Sequence, residues 1–208
     1  EIRLSLVGSE MCIRDRNFLI AVGLKICEVS WVYMLTVFMV VYATKNLGLP
    51  KEMLLNAIMV AAAIEVVTIP LFGWLSDIIG RRPFYFAGTL FTIVFAFPLF
   101  WLVDTRDPWI IIAATAVALS FGHGLMFGPQ ATYFPELFGA RVRYTGASFG
   151  FQVSAALGGG LAPILATLLV GKLGGTAGVS IMLIGLACVT LVAAFFAHET
   201  RDDSVRNF

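Results

Sequence analysis

Lys25 and Glu28 lie three residues apart inside the apolar segment 18–44. That spacing puts both on one face of a helix, close enough to pair. At about 1.5 Å per residue they sit roughly 10–15 Å inside the segment. An ionisable group at such depth is costly and usually faces a bundle interior or a water-filled cavity. The pair is therefore either a self-neutralising structural feature or the lining of such a cavity. Glu65 stands alone in the next apolar segment, 53–76. A lone carboxylate there is expensive as an ion, so it is either a proton carrier or a neutral acid bonded to a neighbouring helix. Segment 109–134 carries His123, Gln130 and Tyr133. Pro129 comes directly before Gln130, and interrupted helices at membrane depth point to binding sites. The plainer alternative is a proline kink whose freed carbonyl is satisfied by Gln130. His123 lies between two glycines and is either a site group or a packed, neutral imidazole. Gln152, in segment 144–170, is a further hydrogen-bonding candidate.

The elements that must position these groups follow from composition. The 208-residue chain is 59% hydrophobic and 13% charged, with a mean hydropathy of +0.91. Soluble chains are roughly 45–50% apolar. Six apolar segments, 18–44, 53–76, 84–103, 109–134, 144–170 and 179–197, are each about as long as a bilayer-crossing helix needs to be. Lipid offers no partner to a free backbone amide, so each segment is expected to be helical. The connections LGLPKE, DTRDP and GKLGGTAG carry proline and glycine turn chemistry. The fold class is an all-α membrane protein with six transmembrane helices over 17–208. The leader EIRLSLVGSEMCIRDR, 1–16, has no signal-peptide h-region. SLVGSEMCIRDR resembles a translated sequencing-adapter segment, so the leader is expected to be non-native and the natural chain cut near Asn17.

The net charge is +1, which gives no global field for nucleic acid. Basic residues in short loops set orientation. Arg81, Arg82, Arg141, Arg143, Arg201 and Arg206 fall on one side in tight groups, against Lys45, Lys51, Arg106 and Lys172 on the other. The first side, with the C-terminal tail, is expected to be cytoplasmic. Cys27 and Cys188 lie in apolar runs as small hydrophobes, and no disulfide framework is implied. GASFG, 146–150, matches the hydrolase pattern G-x-S-x-G, but that pattern needs a strand–turn–helix setting. Here it opens an apolar helix, and its glycines also read as G-x-x-x-G packing. Gly124 with Gly128 repeats that spacing, and the run 158–160 adds a third smooth surface. No metal-ligand spacing or phosphate-cradling loop occurs, so neither catalysis nor a cofactor or metal is expected.

Two motifs carry a family resemblance. GWLSDIIGRRP, 73–83, resembles the G-x-L-x-D-x-x-G-R-R signature of the major facilitator superfamily, which joins helices two and three and recurs between eight and nine. PELFGARVRYTGASFGFQ, 135–152, resembles the P-E-x-x-x-x-x-x-R-x-x-G segment between helices ten and eleven. HETR, 198–201, resembles the P-E-T-K/R that ends many sugar-porter-like members, with histidine in place of proline. ELF…RVRYTGAS and the early K-x-x-E look most like the metabolite:proton symporter branch. The resemblance covers about residue 17 to the end. It implies the C-terminal half of a twelve-helix fold, an inverted three-plus-three repeat whose N-terminal six-helix half is missing. It implies proton-coupled symport of a small organic acid or zwitterion across a bacterial inner membrane. A non-transporting sensor or scaffold of the same fold is the alternative. It further implies a cytoplasmic gate of Gly73, Asp77, Gly80, Arg81, Arg82, Glu136, Arg141, Arg143 and Glu199, held by exposed ion pairs.

Overall fold

A computed structural model describes the backbone of residues 2–138 and 143–200, and side chains from residue 16 onward within that range. Arg141, Arg201, Arg206 and the side chains of the leader up to residue 15 lie outside the described residues. Six helices are long and apolar enough to cross a membrane: α1 (Arg16–Lys45), α2 (Lys51–Ile79), α3 (Arg81–Asp104), α4 (Pro108–Glu136), α5 (Arg143–Leu173) and α6 (Ala177–Phe196). The helical run that contains α1 begins upstream at Ile2. Among the described residues there is no strand.

Turn chemistry sets several ends. Asp107 caps α4, accepting from the backbone amides of Trp109 at 2.8 Å and Ile110 at 3.1 Å, with Pro108 in the first turn. Gly174 closes α5 in the left-handed region at φ 68°.

The helices pack as two matched triplets. α1 lies on α5 and α6, α4 lies on α2 and α3, and α3 meets α6. Exchanging the first three helices with the last three maps this pattern onto itself. Three is odd, so α4 starts on the side opposite to α1, and the triplets are inverted copies. The matched contacts α2–α4 and α1–α5 both rest on glycine. A Cβ on Gly128 would stand 2.9 Å from the backbone of Gly73 and of Ile69, and one on Gly158 would stand 3.0 Å from the Ile26 carbonyl. Backbones that close leave no room for a side chain, which is how small residues drive association in lipid. Gly146 abuts Phe138 and Gly150 abuts Ala21, whereas Gly160 has nothing within 4 Å. The third smooth surface is thus Gly158 and Gly159 alone.

The stretch 73–83 departs from the expected cytoplasmic loop. α2 continues to Ile79 and α3 begins at Arg81, so the connection is one residue, Gly80, at φ 124° and ψ 159°. That region is essentially open to glycine alone. Two arginines in the first turn of α3 oppose the positive end of its dipole. Glu199 offsets them: its carboxylate accepts from the backbone amides of Arg81 at 2.8 Å and Arg82 at 3.0 Å. In return Arg82 donates to the carbonyls of Ala194 and Phe195 at the end of α6, at 3.1 and 3.0 Å. Each charge sits at the helix end whose partial charge it opposes.

Candidate functional site

Four helices converge on one buried polar cluster. α1 brings Lys25 and Glu28, and Lys25 Nζ lies 2.5 Å from Glu28 Oε2. α4 brings Gln130, whose Oε1 accepts from Lys25 at 2.8 Å and whose Nε2 lies 3.5 Å from Glu28 Oε2. Seven residues earlier on the same helix, about two turns, His123 places Nε2 at 2.8 Å from Glu28 Oε1. Its Nδ1 lies 2.7 Å from Oε1 of Glu65, on α2. α5 closes the cluster with Phe151, whose ring centre is 4.0 Å from Lys25 Nζ, while Phe127 of α4 is 5.2 Å away. Such contacts over ring faces stabilise a desolvated cation. Lys25 and Glu28 are each 2% exposed at the side chain.

The depth of the cluster is mid-membrane. Glu65 is fourteen residues from either end of α2, about 21 Å from each. His123 sits in a π-helical turn, Ala118–Gly124, inside α4. Single π turns within α-helices are frequent at functional sites. The Trp31 indole N–H donates to the Ala118 carbonyl at 2.8 Å, and its ring lies where a Cβ on Gly122 would fall. The glycine before His123 therefore lets Trp31 seat against the turn that aims the imidazole.

The structure places each of these residues. His123, expected as either a site group or a packed, neutral imidazole, bridges two carboxylates. Glu65 is not alone, because His123 meets it. Gln130 bonds to charged side chains rather than to a carbonyl freed by Pro129. Tyr133 is not in the cluster: its hydroxyl donates to the His198 carbonyl at 2.9 Å, and its ring lies 5.5 Å from that of Tyr85. Gln152 is exposed and touches no charge of the cluster, but it lines a cavity of about 360 Å³ with Phe127, Gln130, Tyr144, Ser148 and Phe151. Three of those wall residues, Phe127, Gln130 and Phe151, are also contacts of Lys25. The cavity thus borders the cluster at Gln130 and the two rings, while Lys25 itself lies behind them. Ser148 lies on the helix α5, without the strand–turn–helix setting of a hydrolase nucleophile.

A second polar group ties the helix ends near Gly80. Arg81 pairs with Asp77, accepts no exposure beyond 6% of its side chain, and reaches Ser76 Oγ at 3.0 Å and Glu136 Oε1 at 3.4 Å. Thr200 in turn donates to Glu136. The expected exposed ion pairs are therefore half wrong: Asp77 is 56% exposed, but Arg81 is buried against a Glu136 that is only 19% exposed. Arg143 is exposed.

Comparison with known proteins decides the family. The Major Facilitator Superfamily description matches residues 26–207. The chain belongs to the major facilitator superfamily. It is a six-helix half of that fold, a multi-pass inner-membrane protein from a family of transporters and not of enzymes. Among major facilitator relatives, it is 37% identical to the "Shikimate transporter" of Escherichia coli K12 over 153 residues, 74% of this chain and 35% of that one. It is 36% identical to the "Inner membrane metabolite transport protein YhjE" of the same strain over 178 residues, 83% of this chain and 40% of that one. It is 32% identical to that strain's "Proline/betaine transporter" over 161 residues, 74% of this chain and 31% of that one. The chain thus spans between 31% and 40% of the length of these facilitators. No solved structure matches it.

Proposed function

We propose that the chain is the C-terminal half of a proton-coupled symporter for a small organic acid or zwitterion, working by alternating access with an N-terminal six-helix half. The observation that carries this reading is the continuous row Lys25–Glu28–His123–Glu65, buried at mid-membrane and bordered at Gln130 by a cavity. A buried row of ionisable groups at that depth is expensive unless protons or charged substrates use it. Relatives named for shikimate and for proline and betaine support a small carboxylate-bearing cargo. Lys25 meets the cargo's carboxylate, Gln130 and Gln152 hydrogen-bond it, and Glu65 and His123 handle the proton. Asp77, Arg81, Glu136 and Glu199 form a gate at the cytoplasmic end. Their buried part makes the closed state more than the sum of exposed pairs, which are worth about 0–1 kcal/mol each.

The test is uptake of radiolabelled shikimate, proline and glycine betaine by cells expressing the full-length protein. Uptake of at least one collapses when a protonophore is added. Uptake of a cargo that continues unchanged with the protonophore contradicts the proton coupling.

A further inference from the structure

The charge of the buried cluster can be counted from its hydrogen bonds, and the count assigns a stoichiometry to the transporter reading on which it rests. The row Glu28–His123–Glu65 has two contacts, of 2.8 and 2.7 Å. Both are hydrogen-bond lengths, and every hydrogen bond holds one proton. Stripped of protons, two carboxylates and an imidazolate carry three negative charges. With one proton in each contact and none on the remaining oxygens, the row carries −1, wherever along it the two protons reside. The Lys25 ammonium, 2.5 Å from Glu28, brings the cluster to zero. Lys25 and Glu28 are each 2% exposed, and a net charge on groups so far from water is costly.

Other groups around Glu28 leave the count unchanged. α3 contributes the buried phenol of Tyr85. α1 contributes the buried thiol of Cys27, and the Thr190 hydroxyl of α6 bonds the Cys27 amide. α5 contributes the Phe151 ring. The other buried charged residue among those described, Arg81, belongs to the separate group at Gly80.

We propose that a substrate carboxylate replaces Glu28 on Lys25 and that one proton joins the row as it does so. The Lys25–Glu28 pair opens and the ammonium pairs with the incoming carboxylate. Glu65 takes a proton from hydronium on the acid side, releasing neutral water, the proton on His123 Nε2 passes to Glu28, and Glu28 is left as the neutral acid. No covalent bond changes except those to protons. One negative and one positive charge enter together, and the cluster stays neutral. The cavity supplies the approach, since Phe127, Gln130 and Phe151 form both its wall and the surroundings of Lys25. Gln130 already lies between Lys25 and Glu28, so its amide can donate to the new carboxylate. A monocarboxylate is therefore carried with one proton and no net charge.

The experiment uses the full-length protein in liposomes, with radiolabelled shikimate as the monocarboxylate. A gradient of one pH unit, acid outside, accumulates shikimate about tenfold, the concentration equivalent of one proton per anion. A potassium–valinomycin potential of either sign changes that value by less than twofold. Glu28→Gln removes the group that takes up the proton, and pH-driven accumulation of shikimate disappears. Wild-type accumulation driven by the potential, or full pH-driven accumulation in Glu28→Gln, overturns the one-for-one exchange but leaves a transporter. Absence of shikimate, proline and glycine betaine uptake under every gradient overturns the transporter reading itself, and this inference with it.

Discussion

Lys25→Met in the full-length protein destabilises it by about 3–5 kcal/mol and weakens shikimate binding by at least about thirtyfold. The first figure is the cost of removing one partner from a buried ion pair. Lys25 is 2% exposed and holds Glu28 at 2.5 Å, so methionine leaves an acid facing only Gln130 and His123. The second figure corresponds to about 2 kcal/mol, the lower end for truncating one side of a desolvated charge pair. Lys25→Met combined with Glu28→Gln separates the two effects. The double variant regains most of the stability, because neither charge is stranded. It does not regain the binding, because no cation is left for the carboxylate. Thermal unfolding in detergent and equilibrium binding of labelled shikimate read these out. Recovery of binding in the double variant would show that Lys25 serves only to balance Glu28.

Gly80→Ala is expected to cost about 1–3 kcal/mol from the backbone alone, since Gly80 holds φ 124° and ψ 159°. The added Cβ would also stand 2.9 Å from Glu199 Oε2. It displaces the carboxylate that caps the first turn of α3, a loss of about 0.5–2 kcal/mol on the scale of other N-caps. Glu199→Gln keeps the backbone and the shape but removes the charge and one of the two accepting oxygens; without backbone strain it is the milder variant. Thermal unfolding of the full-length protein should rank wild type above Glu199→Gln above Gly80→Ala. An alanine at 80 as stable as wild type would mean that the one-residue joint relaxes without strain.

The sequence exposed some of this arrangement and hid the rest for physical reasons. Lys25 and Glu28 were legible because helical geometry joins positions three apart. The six helices were legible because the chain alternates long apolar runs with proline- and glycine-bearing turns. The contact of Glu65 with His123 was not legible. It spans 58 residues of sequence and depends on α2 and α4 meeting at Gly73 and Gly128. Tyr133 misled because it lies three residues after Gln130, on the same face but one turn closer to the Gly80 end. GWLSDIIGRRP read as a loop because its charges interrupt apolar runs. The structure makes it two helix ends instead, because Glu199, more than a hundred residues away, satisfies the amides that a loop would have left to water. Phe127 and Phe151 escaped attention as ordinary aromatic residues in apolar segments. Their adjacency to Gly128-Pro129-Gln130 and to Gln152 was the available signal.

The central claim is that the proton moves through the row that ends at Glu65, the member reached through α2. It is tested most directly by pH-driven accumulation of shikimate in liposomes containing full-length protein with Glu65→Gln. This substitution keeps a hydrogen-bonding amide beside His123 Nδ1 and removes the terminal proton acceptor. The account predicts that accumulation falls from about tenfold per pH unit to none while shikimate exchange across the same membranes persists. Undiminished tenfold accumulation by Glu65→Gln would contradict it.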